Sequence, residues 1–181
     1  MKAIHKAWMI LGVLALALAM APASQAQLNS NQATVALNAT LAESLTVTAG
    51  PATVSFVLAA SGVSNGSAPV AITTAWVLAP TRTSVKLFTY FSSVNALTDG
   101  GGNNIPTANV SGSVNAGAYG AFTGGVSPFG TESIQVFNQA ISSANWNSSR
   151  SDSVALRIDT TGLGLPSGSY TGTLNVQAQA L

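Results

Sequence analysis

The sequence predicts an all-β protein, an antiparallel immunoglobulin-like β-sandwich behind an N-terminal signal peptide. Three observations predict it. Apolar residues recur at every second position in several short runs, the period of a half-buried strand rather than of a helix. Gly, Pro, Asn and Ser separate these runs, and they are the residues of tight turns. No helical period follows residue 26, so an α/β fold has nothing from which to build its crossovers. A barrel is the alternative architecture that the same pattern permits.

The first segment reads as an address. Two lysines in Met1–Lys6 precede an uncharged Leu- and Ala-rich run, Ala7–Ala21, and then the small residues of Pro22–Ala26. That three-part order is the order of a secretory signal, and the apolar run is short for a membrane span. Small-x-small sites end at Ala23 and Ala26, and the polar turn of the sequence beyond Ala26 favours cleavage there. Residues 1–26 are therefore assigned to a signal peptide and 27–181 to a single β-sandwich domain, placed in the periplasm, at the cell surface or outside the cell, with no stable membrane span once the signal is removed. Export permits disulfides, yet the chain has no cysteine. A domain of about 155 residues buries about 70% of its unfolded surface, enough for a core without staples.

The strands follow in order. Val35, Leu37, Ala39 and Leu41 share one face of a first run, and Leu45 and Val47 continue it until Gly50-Pro51. Val54–Ala59 is a second run, followed by a loop, 61–69, in which Asn65-Gly66 suits a tight turn. Val70, Ile72, Thr74, Trp76 and Leu78 alternate next, with Trp76 in phase for the core. Val85, Leu87, Thr89 and Phe91 form another strand whose opposite face, Lys86, Phe88 and Tyr90, is rich enough in aromatics to be partly covered. From Asn95 to Gly130 glycines dominate, with short strands at Ala108–Val114 and Tyr119–Phe122. Ser133–Ser142 reads as a strand with a bulge, Val154–Ile158 as another, and Tyr170–Ala180 as the last. The total is eight to ten strands.

Charge is scarce, at 6% of the 181 residues. Beyond residue 26 there are four cations, Arg82, Lys86, Arg150 and Arg157, against five carboxylates, Glu43, Asp99, Glu132, Asp152 and Asp159, a formal charge of −1. No basic field exists to hold nucleic acid. The single histidine, His5, lies in the signal segment, so Ser-His-Asp and Cys-His machinery and the usual zinc, copper and haem sites are excluded, and no cofactor is expected. Ser84 and Lys86 share a strand face, where the lysine reads as an ordinary strand residue. Asp152 and Asp159 fall on opposite faces of one strand, each two residues after an arginine, and read as surface ion pairs rather than as a catalytic carboxylate pair. The loop Asp99–Asn104 offers oxygen ligands of the kind calcium takes, but one carboxylate is a weak endowment. Trp146, among Asn145, Asn147, Ser148 and Ser149, is the aromatic expected to be exposed and the candidate ligand contact. The chain is read as a non-enzymatic protein.

Two stretches resemble secreted bacterial β-sandwich subunits of the spore coat U and archaic chaperone-usher pilin kind. They are the N-terminal Ala33–Thr40 with Glu43–Thr48, and the C-terminal Leu165-Pro-Ser-Gly-Ser-Tyr-Thr-Gly-Thr-Leu-Asn-Val176. The match covers about a quarter of the chain beyond the signal. The resemblance implies a structural or cell-surface subunit that self-associates or joins related subunits by β-strand donation, with a periplasmic chaperone as a further partner. It makes residues 27–41 the donor segment, with Val35, Leu37, Ala39 and Leu41 filling successive pockets of a neighbour. Unlike many such subunits, this chain has no cysteine near Ser44 or Leu45, and Ala33–Leu41 could equally be the first strand of a complete domain. The other reading is a monomeric secreted ligand-binding or adhesive module that uses Trp146. Deleting 27–41 separates the two.

Overall fold

The computed structural model describes residues 28–124 and 127–181, so the expected signal, 1–26, lies outside the described residues. Thr40–Leu181 forms one compact unit, and residues 28–39 belong to a separate one.

The compact unit is an all-β antiparallel sandwich. Its strands are β1 (Ser44–Gly50), β2 (Val63–Asn65), β3 (Val70–Val77), β4 (Ser84–Tyr90), β5 (Asn95–Thr98), β6 (Asn104–Pro106), β7 (Val110–Val114), β8 (Tyr119–Ala121), β9 (Ser133–Ala140), β10 (Asn147–Asp159) and β11 (Asn175–Ala180). The first sheet runs β1-β3-β10-β7-β8, with β2 also on β10; the second runs β11-β4-β9, and β5 pairs with β6.

Alternation drives the packing. In β3, Val70, Ile72, Thr74 and Trp76 are buried and the residues between them are more exposed. They meet Val154, Leu156 and Ile158 of β10 on the same sheet, and Val85 and Leu87 of β4 from the other. Trp76 is in the core, as its phase predicts, and its indole N–H donates to the Asn145 carbonyl at 2.8 Å. That bond satisfies the one polar atom the ring buries.

The outer face of β4 is covered, as its aromatics suggest. Phe129 stacks on Tyr90 at 5.5 Å between ring centroids and meets Phe88 edge-on at 5.9 Å. The bulge expected in β9 is present, as a register shift opposite Leu87/Phe88.

Several elements differ from the sequence reading, β5 and β6 among them, which it does not place. Asn65-Gly66 is no turn; Asn65 pairs with Arg157 at the end of β2, and Gly66 bridges Phe56. A Cβ on Gly66 would come within 2.7 Å of Val54, so the glycine serves close approach. β10 starts at Asn147, seven residues before its apolar half, because β3 pairs with it along its polar start. On that half the inward residues include Arg150 and Asp152, so the expected surface pair is an inward one. The Asp152 side chain is 1% exposed and Arg150 binds it at 2.7 Å. The last strand enters the ladder only at Asn175, and Val54–Ala59 has a single bridge instead of a ladder.

Candidate functional site

Residues 28–43 form no strand and are exposed. Their apolar side chains stand in water: Val35 is 82%, Leu37 91% and Leu41 84% exposed, and Ala39 is exposed with them. Scattered exposed apolar residues are ordinary, but an alternating set on one uncharged segment is the pattern of a strand without a partner.

Within the compact unit the core is closed on most sides and open on one. The inward residues of the terminal strands, Leu45 and Val47 of β1 and Val176, Ala178 and Ala180 of β11, are only half-buried, as are Val54, Phe56 and Leu58 after β1 and Tyr170 and Leu174 before β11. The opening widens into a groove of about 760 Å³ flanked by segments 53–60 and 165–172, with Leu97 and Ile158 also lining it. None of the lining residues is charged.

The flanks carry single bridges, at Phe56 and Thr171, instead of ladders. Thr171 exchanges two backbone bonds of 2.9 Å with Thr98, whereas among the described residues Tyr170, Gly172 and Leu174 form no backbone–backbone hydrogen bond. Gly172 is obligatory at this crossing, because a Cβ there would collide with the Ala96 carbonyl. On the other flank, Ser55 accepts from the Ser67 N–H at 2.9 Å and its own N–H donates to the Ser67 hydroxyl. Val54, Phe56 and Leu58 turn inward between these anchored positions. The groove therefore offers an apolar floor and backbone edges with unused donors and acceptors, which an added strand needs.

Where residue 40 onward begins, Glu43 is clamped. Its carboxylate accepts from the Ala79 N–H at 2.7 Å and from Arg82 Nε and Nη2 at 3.1 Å each. The Arg82 bond, helped by the Ala79 N–H, holds the Glu43 carboxyl below its ordinary range.

The remaining candidates are occupied by structure. Trp146 is half-buried in the β9–β10 connection rather than free-standing, and its carbonyl accepts from the Leu78 N–H. Asp99 spends both oxygens within its own loop, on the Asn103 side chain at 2.6 Å and on the N–H groups of Gly101 and Asn103, bonds that lower its pKa. Arg157 lies 4.1 Å over the Tyr119 ring and donates to the Ser111 hydroxyl; Asp159 accepts instead from the Thr161 N–H. Among the described residues no three His, Cys, Asp or Glu side chains gather as a metal site. No helix among them is long and apolar enough to cross a membrane.

The sequence named the arm but not the groove. Val54, Phe56 and Leu58 carried a strand signal, yet nothing in their spacing says that the strand lacks a neighbour. No protein-family model, curated protein or solved structure matches the chain.

Proposed function

We propose that the protein is a non-enzymatic, exported structural subunit that assembles by strand donation, residues 33–41 of one copy filling the groove of another. One observation carries this reading: an unpaired, alternating apolar segment and an open, uncharged groove with an apolar floor and free backbone edges occur in the same chain. Backbone bonds to the flanks supply affinity, and alternate side chains set the register.

Chain length supports donation between copies. From Ser44 the chain runs the length of β1, about 20 Å, before it reaches the groove. Ala39 and Leu41 lie five and three residues from Ser44 and reach at most about 18 and 11 Å. Ala39 and Leu41 therefore fall short of their own groove although Leu37 and Val35, at about 25 and 32 Å, do not, so the four together can fill only the groove of another copy. A donor at one place and an acceptor at another make a head-to-tail contact, which propagates unless its rotation closes a ring. With a formal charge of −1 beyond residue 26, copies repel each other little.

Electron microscopy and light scattering of the full-length product, beside a chain lacking Gln27–Leu41, test this. Polymers from the first and folded monomers from the second support the proposal. Equal assembly by both refutes it.

A further inference from the structure

We propose that the outer face of the second sheet binds a neutral polysaccharide, with Phe129 and Tyr90 as the stacking surface and Gln135 and Gln177 as the amides that hold sugar hydroxyls. This face is turned away from the core, so binding there does not depend on strand donation.

Alternation in β4 builds the face. Val85, Leu87 and Thr89 are buried on the inward side, which turns Lys86, Phe88 and Tyr90 outward. Pairing sets Gln177 of β11 and Gln135 of β9 on either side of Phe88, and Asn138 beside Lys86. Residues directly opposite share a face, so amides flank the aromatic column on both sides. Gln135, Asn138 and Gln177 are exposed. Gln135 and Gln177 stand two strand spacings apart, about 10 Å.

A tight turn supplies the third ring. The Phe129 N–H donates to the Ser127 hydroxyl at 2.9 Å, and the turn closes at Gly130, whose φ of 143° favours glycine. The ring so held lies on Tyr90, 23° from parallel, and against the edge of Phe88. Phe88 is sealed at 1% exposure, whereas Tyr90 and Phe129 are only half-buried and keep part of their rings in water.

A sugar ring has an apolar C–H face and a rim of hydroxyls. The C–H face packs on an aromatic ring, and a primary amide donates and accepts at once, as neighbouring hydroxyls require. The Tyr90 hydroxyl donates to Gln177 Oε1 at 3.0 Å, which fixes that amide and leaves its N–H groups and the tyrosine oxygen to meet a ligand. An apolar surface with a few fixed polar groups is the usual chemistry of a ligand site. Lys86 is the one charged side chain among these positions, so an anionic polymer gains little there, while a neutral one is held without desolvating an ion pair.

Affinity electrophoresis of the full-length chain tests this, in gels containing laminarin, galactomannan or dextran, with polygalacturonate as the anionic comparison. At least one neutral polymer should retard the parent. Phe129→Ala should raise the Kd about tenfold, and Gln177→Ala or Gln135→Ala about threefold each. Both glutamines are exposed, so their variants keep the test valid even where Phe129→Ala loosens the turn. Thr73→Ala, on the outer face of the first sheet, should bind as the parent does. No retardation in any neutral gel, stronger retardation by polygalacturonate, or retardation unchanged in Phe129→Ala and in both glutamine variants would overturn the proposal.

Discussion

Leu37→Ala in the arm separates a docking residue from a folding residue. Leu37 is 91% exposed in the subunit, so its side chain contributes almost nothing to the sandwich itself. In a neighbour's groove it would be buried, and removing three carbons at about 0.8 kcal/mol each costs about 2.4 kcal/mol, or about 50-fold in Kd. The assay is fluorescence anisotropy of a labelled peptide of residues 27–41 titrated into a chain lacking those residues. Asn38→Ala, on the opposite face of the peptide, should change the Kd by less than about threefold, the scale of one solvated polar contact. In the full-length chain Leu37→Ala should leave thermal unfolding of the sandwich within about 0.5 kcal/mol of the parent. Equal losses from Leu37→Ala and Asn38→Ala, or no loss from either, would refute alternate-side-chain docking.

Two further predictions concern the sandwich. Gly172→Ala must push the 171–173 segment away from the Ala96 carbonyl, and should destabilise the fold by about 1–3 kcal/mol while weakening arm-peptide binding, measured by denaturant titration and anisotropy. For Asp152, burial favours protonation, but the paired bonds from Arg150 and the bond from Asn115 outweigh it and hold the carboxyl below the ordinary range. A carboxyl lowered on folding adds stability that is present above its unfolded pKa of about 3.9 and is lost as pH falls through the lower folded value. Unfolding free energy should therefore drop on acidification below about pH 4 in the parent, and drop less in Asp152→Asn. At neutral pH that variant should lose about 2 kcal/mol, because it leaves Arg150 without its partner.

Period-two patterning made the sandwich legible wherever one face of a strand is buried and the other is wet, as in β3 and β4. It failed where polar residues sit on both faces. The first half of β10 has Ser148, Arg150 and Asp152 inward, and only its pairing with β3 reveals it as a strand. The candidate site was half legible for a related reason. Periodicity reports that a segment suits a strand and is silent on whether a neighbour exists. Val35–Leu41, Val54–Leu58 and Tyr170–Leu174 all read as strands, and all three lack a ladder. Trp146 is half-buried although its polar sequence neighbours suggest exposure, because Asn145 spends its side chain closing the loop on Ala140 and Ser142.

Cross-linking between two singly substituted chains tests strand donation most directly. With no natural cysteine, Leu37→Cys in one chain and Leu165→Cys in another place one thiol on the arm and one at the groove. Mixed and oxidised mildly, the two chains should form a disulfide-linked heterodimer, abolished by excess free arm peptide. A double variant that links only within its own chain, with no link between mixed single variants, would contradict donation between copies.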